Sequence, residues 1–343
     1  MSESRAVLGK YVIIFCIFFI LSLGLGYAIL NRYDPVALGG GLHDLRYYAD
    51  IVRDGPAFFV DEPLGIRTRL LSPWFAHLLY TILPTIGSYN SVSVAMLVAN
   101  SFFTAASALL IFNCTFRFFR DSNVAIIASF IFITSFYVTN SYLVGSVDAV
   151  YGLFFLIMYC ALVRDKWFLL PIIMIFGCLA KEAFLPVGAA FVLFTLIHRV
   201  FEFGRLPLAK IVIFVTMVIS GFVTIVCLNA LVYGSMTFPW SLIPDLEVTI
   251  GAPKIDFSLT NFFIGLIRFV LILGLLVWLS LYSLKRFPSW FLAGNFGTLL
   301  ITVSLAVYIG VSGADYARFM FSPLALLLCS ASALTIFKLK INA

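Results

Sequence analysis

Apolar runs of helical length alternate with short polar connections along almost the whole chain. They fall at roughly 11–31, 92–116, 123–139, 147–163, 167–180, 183–199, 211–233, 262–283, 289–311 and 317–337. About 20 apolar residues in a helix span the roughly 30 Å hydrocarbon layer of a bilayer. The pattern predicts an all-α, polytopic membrane helix bundle of about 10 transmembrane helices. The runs 167–180 and 183–199 are short. They also read as a hairpin that stops partway, with Lys181–Glu182 at its tip.

Two further segments carry helical signals without the length to cross. "SPWFAHLLYTILP", from Ser72 to Pro84, carries Trp74, His77 and Tyr80, which suit an interfacial helix. In "GLHDLRYYADIVRDG", a helix from Asp44 to Arg53 puts Asp44, Tyr47, Tyr48 and Ile51 on one face. Gly39, Gly40 and Gly41 precede it and Gly55–Pro56 ends it. Residues 32–91 are therefore one long outer loop holding two interfacial helices, and 234–261 are a second outer loop. No internal repeat is evident, so 1–343 reads as a single integral membrane domain.

Composition agrees with lipid as the solvent. The chain is 62% hydrophobic and 11% charged, with a mean hydropathy of +1.09. A soluble domain carries about 25% charged residues. The net charge of +6 reports topology rather than nucleic-acid binding, because Lys and Arg collect in short connections. With Arg5 and Lys10 cytoplasmic, alternation puts 13 Lys+Arg and 4 Asp+Glu inside, against 9 and 12 outside. The first apolar run reads as a retained helix with a cytoplasmic N-terminus. Six cysteines lie in apolar stretches without a C-x-x-C pair, which suits buried small hydrophobes better than disulfides or zinc.

The charged positions on the outer side are the candidates for chemistry, and each has a bland alternative. Asp44 is either one solvated charge on an interfacial helix or a proton acceptor at the mouth of a cavity, with His43, Tyr47 and Tyr48 beside it. Arg67 and Arg69, in "IRTRLLSPW", suit phosphate in fork geometry, or generic headgroup contact. Asp148 either answers a helix dipole or faces a cavity. Lys181–Glu182 interrupts more than 30 apolar residues. Charges at that depth suggest a site, although the two could neutralise each other. Asp315 and Arg318 are spaced for a local i, i+3 pair, and Arg318 could equally reach a phosphate. No nucleotide-binding or hydrolase motif and no metal-spaced His/Cys cluster occurs.

The order of these pieces resembles the GT-C superfamily of multi-spanning glycosyltransferases, small bacterial type. The resemblance rests on "HDLRYYADIV", "IRTRLLSPWFAHLL", "GSVDAVYGLFFL", "LAKEAFL" and "DYARFMFSPLALLL", in that order over most of 10–337. It implies an outer-face enzyme that takes a sugar, hexosyl or pentosyl, from a polyprenyl-phosphate carrier to a glycan or lipid acceptor, with inversion. Asp44 matches the catalytic carboxylate of the first outer loop. Arg67, Arg69, Lys181 and Arg318 would face the phosphate, with Asp148 and Glu182 supporting them. The implied location is a bacterial inner membrane in the cell envelope. Membrane lipids are expected partners and nucleic acid is not. No metal ligands are assigned, and a divalent cation stays open as cofactor. The alternative is a transporter or flippase of lipid-linked sugars that uses the same charges without catalysis.

Overall fold

The computed structural model describes residues 2–28, 30, 43–55, 69–82, 91–143, 145–204, 208–233, 259–310 and 316–342. Among them the chain is all helical. The α-helices are α1 (Ser2–Tyr27), α2 (His43–Asp54), α3 (Leu71–Tyr80), α4 (Ser91–Phe119), α5 (Ser122–Thr134) and α6 (Asp148–Val163). They continue as α7 (Leu170–Ala180), α8 (Phe184–Phe203), α9 (Leu208–Tyr233), α10 (Leu259–Leu281), α11 (Ser289–Gly310) and α12 (Tyr316–Asn342). Each of the ten apolar runs is helical over most of its described residues, and the two short segments form helices α2 and α3.

Six of these helices, α1, α4, α8, α9, α10 and α12, are long and apolar enough to cross a membrane. They make this a helical integral membrane protein. Helices α5, α6, α7 and α11 are also apolar, over shorter stretches. Local chemistry sets several boundaries. Asp121 caps α5 by accepting from the Asn123 and Val124 amides, the usual work of an N-cap carboxylate. Pro171 sits in the first turn of α7, where its missing N–H loses nothing. Gly204 ends α8 in the left-handed region.

Side-chain contacts order the helix ends. At one end, Asp165 after α6 meets Lys210 of α9 and Arg199 of α8. There too Phe118 and Phe119 of α4 pack on Phe287 before α11, and Ser283 after α10 bonds Thr335 of α12. At the other end the start of α6, the junction of α7 with α8 and the start of α12 converge. Gly26 of α1 packs there on Leu97 and Leu143. Helices α6, α7, α8 and α12 thus run between a basic end and a second, mixed-charge end.

Close helix approach rests on small residues, as is usual where lipid gives no hydrophobic drive between helices. A Cβ on Gly294 would sit 2.6 Å from Thr195 Oγ1, and one on Gly297 would sit 2.9 Å from the Ala190 carbonyl. These contacts join α8 to α11. Helices α10 and α12 are tied by Ser280, whose hydroxyl reaches the Leu328 carbonyl, and by Ser332, which donates to the Leu276 carbonyl.

A second layer covers the mixed-charge end. Tyr48, Ala49, Ile51 and Val52 of α2, Ala76 of α3 and Val92, Ala95, Met96 and Ala99 of α4 form one buried cluster with Val147, Val150 and Ala180. Helix α4 reaches past the bundle to build it. Its first nine residues precede Asn100 and rise about 14 Å at 1.5 Å each. Asn100 itself bonds the Ser146 carbonyl at the top of α6. Helices α2 and α3 therefore pack on α4 and on the ends of α6 and α7, and one face of α3 stays exposed through Trp74 and Leu78.

Candidate functional site: a charged seam between bundle and cap

The seam is built from the cap-side end of four segments. Asp148 opens α6 and is buried, at 1% exposure. Its Oδ1 accepts from Lys181 Nζ at 2.9 Å, and its Oδ2 accepts from Arg318 Nε. Ser141 and Ser146 also donate to Oδ2, at 3.3 and 3.2 Å. One carboxylate thus joins a lysine 33 positions away and an arginine 170 positions away.

Lys181 is buried as well, at 5%. Its ammonium lies 5.2 Å from the Tyr151 ring centroid and 4.9 Å from that of Phe319, so two aromatic faces add to the carboxylate. Glu182 takes a different partner. Arg69 donates from Nη2 to Oε1 at 2.7 Å and from Nε to Oε2 at 3.2 Å. This is the bidentate fork that fixes direction as well as attraction. Local backbone explains why Lys181 and Glu182 do not neutralise each other. Lys181 ends α7 with an extended backbone, φ −166 and ψ 130, and successive side chains on extended chain point to opposite sides.

Desolvation raises the carboxyl of Glu182 and lowers the guanidinium of Arg69, yet the fork reverses both. Glu182 is held below the usual carboxylate value, and Arg69 is raised further above an already basic one. Tyr48 of α2, fully buried beside Arg69, adds to the second effect. The cap therefore reaches the charged seam through a buried tyrosine.

Backbone contacts hold the arginine in register. Leu70 N–H donates to the Leu179 carbonyl at 3.0 Å. Two residues on, Ser72 Oγ donates to Asn100 Oδ1 at 2.7 Å. Behind Arg318, the Tyr142 and Ser322 hydroxyls are hydrogen-bonded, and Tyr159 donates to the Pro323 carbonyl.

Among the described side chains of the seam, Arg69, Lys181 and Arg318 face Asp148 and Glu182, which leaves one positive charge in excess. Access is graded. The pair Asp148–Lys181 is sealed, whereas Arg69, Glu182 and Arg318 side chains are 18%, 34% and 22% exposed. Such a site suits an anion that approaches from the open side.

Of the residues singled out in the sequence, Arg69, Asp148, Lys181, Glu182, Arg318 and Tyr48 come together here. Arg67 and Asp315 lie outside the described residues. His43, Asp44 and Tyr47 belong to α2 by their backbone, but their side chains lie outside the described residues. Asp44 stands four positions before Tyr48 in that helix. Sequence reasoning missed Ser141, Ser146, Asn100 and Ser72. Asn100 carried a usable signal, since a carboxamide inside a membrane helix needs a partner. No group of three His, Cys, Asp or Glu residues among the described residues could hold a metal ion.

Compared with family models, curated proteins and solved structures, the chain matches none.

Proposed function

We propose that this protein is a membrane glycosyltransferase. It moves a sugar from a polyprenyl-phosphate carrier to a glycan or lipid acceptor on the extracytoplasmic face of a bacterial inner membrane. In this reading the ten apolar helices lie in the bilayer in alternating directions, α6 and α7 stopping short of the outer boundary, with the N-terminus cytoplasmic and the mixed-charge end outside. The observation that carries it is the seam itself. Among the described side chains, five ionisable ones from four segments meet under a helical cap, three of them cationic and two anionic.

The chemistry follows from the charges. Asp44 accepts the proton of an acceptor hydroxyl, the freed oxygen attacks the anomeric carbon, and the bond from that carbon to the phosphate oxygen breaks with inversion. Positioned proton transfer of this kind typically contributes about 10²–10⁴-fold. The departing lipid phosphate gains negative charge, and Arg69 and Arg318, the partly exposed cations, stabilise it electrostatically. Lys181 serves differently from a phosphate clamp. It holds Asp148 in place and keeps the floor of the site charged and rigid.

The test uses the full chain in lipid nanodiscs with a panel of polyprenyl-phosphate hexoses and pentoses. Asp44→Asn is expected to lose at least about 100-fold in transfer while its thermal unfolding matches wild type. Full activity in that variant removes Asp44 from the mechanism. A carrier or flippase differs by access. Glu182→Cys labelled from both membrane faces in alternation would replace the transferase reading, whereas labelling from the outer face alone supports it.

A further inference from the structure

A histidine of α3 has a role in the cap that the charged seam does not use. His77 Nδ1 lies 2.8 Å from the Val52 carbonyl oxygen. The carbonyl can only accept, so Nδ1 carries the proton and donates. Val52 belongs to the last turn of α2, whose carbonyls have no partner within the helix. The imidazole therefore caps the C-terminal end of α2.

The surrounding backbone is shaped for this contact. Gly55 follows α2 with φ +75, the left-handed conformation that ends many helices and favours glycine. A Cβ there would stand 3.0 Å from His77 Nε2 and 3.3 Å from Cε1. Any larger residue strains the backbone and crowds the ring. Helix α3 is itself tied to the seam through Leu70 with Leu179 and Ser72 with Asn100. Position 77 is thus a fixed point from which α2 can be located.

We infer that His77 is a positioning residue: through Val52 it sets the register of α2, and so the placement of position 44 over the seam. This rests on the transferase reading for its catalytic consequence, but not for its structural one. Because the donor is Nδ1, attached directly to Cγ, the amide nitrogen of asparagine can stand in for it. Glutamine carries its amide one carbon further out and cannot reproduce the same reach.

The test compares wild type with His77→Asn, His77→Gln and Gly55→Ala, all as full chains in nanodiscs. Amide hydrogen exchange is read over 43–55, with α4 and α6 as internal controls. Exchange over 43–55 is expected to rise roughly two- to tenfold in His77→Gln and Gly55→Ala, the factor that one hydrogen bond corresponds to. It stays near wild type in His77→Asn. In the transfer assay, kcat should fall in His77→Gln and Gly55→Ala with little change in donor KM, and stay near wild type in His77→Asn. Equal protection in all four proteins overturns the positioning role, and so does a His77→Asn variant as unprotected as His77→Gln. If protection changes as expected while the wild type transfers no sugar, His77 keeps its role and the transferase reading falls.

Discussion

Replacing Asp148 by asparagine gives the sharpest test of the seam, because shape is kept and only charge is removed. Lys181 Nζ stands 2.9 Å from Oδ1. At an effective dielectric constant of 20, two unit charges at that distance attract by about 6 kcal/mol. Desolvation of both ions offsets much of this, so the net value of the intact pair is small. Breaking it is a different matter. The ammonium is then left buried and unpaired, which typically costs about 3–5 kcal/mol. Loss of the lysine's proton limits the damage, and Arg318, at 22% side-chain exposure, can turn toward water. The expected destabilisation of Asp148→Asn is therefore about 3 kcal/mol, at the lower edge of that range. Adding Lys181→Met should recover most of it, because the unpaired charge goes too. The assay is reversible unfolding in mixed micelles for wild type, both single variants and the double. A coupling of about 2 kcal/mol or more is expected, well above the roughly 0.6 kcal/mol average for interhelical hydrogen bonds in membranes. Additive single variants would show that the two groups do not share a buried site, and the seam would dissolve as an explanation.

Two further outcomes follow from the same geometry. The folded-state pKa of Glu182 lies below its ordinary value, so the Arg69 fork contributes stability that is fully present above the unfolded value, about 4.3. That contribution fades as pH falls through the folded value, so the difference between wild type and Glu182→Gln in thermal unfolding should hold from pH 7 to 5 and shrink below about 4. A difference that grows on acidification contradicts the fork. Gly297→Val should cost about 1–3 kcal/mol, because the added carbon meets the Ala190 carbonyl and the Phe194 ring. Unchanged unfolding would mean that α8 and α11 do not pack this closely.

Most of the helices were legible because each is a run of apolar residues with its own ends. Lys and Arg likewise marked the basic end, since a connection's charge does not depend on its distant partners. The pairing inside the seam was not legible. Nothing near Lys181 in the sequence points to Asp148, and the obvious neighbour, Glu182, is turned away by one extended residue. The expected i, i+3 pairing of Arg318 assumed that both positions are helical. Position 315 lies outside the described residues, whereas Arg318, in the first turn of α12, bonds Asp148 across the bundle. Likewise α3 was readable as a short amphipathic helix from Trp74, His77 and Tyr80. Its burial against α4 through Phe75, Phe102 and Phe103 depends on a helix that follows it in the chain.

The lengths of the helices explain why charge sits where it does. Helix α6 has 16 residues and rises about 24 Å at 1.5 Å each, short of a hydrocarbon layer about 30 Å thick. A helix of that length cannot reach both polar boundaries. In the orientation proposed above, with the basic end of α6 at one boundary, its first residue, Asp148, lies some way inside the other. Helix α7 is shorter still, at 11 residues, and ends at Lys181. The recess above them would expose polar backbone to lipid unless something filled it, and backbone at membrane depth must be satisfied within the protein. The segment 69–80 does this, with Leu70 bonding the Leu179 carbonyl and Ser72 bonding Asn100. The same shortfall that forces a cap also gives the ion pairs a low-dielectric setting, where any added charge is felt most strongly. Lengthening α6 or α7 by one turn should therefore expel the cap and the charges together, because one geometric deficit sustains both.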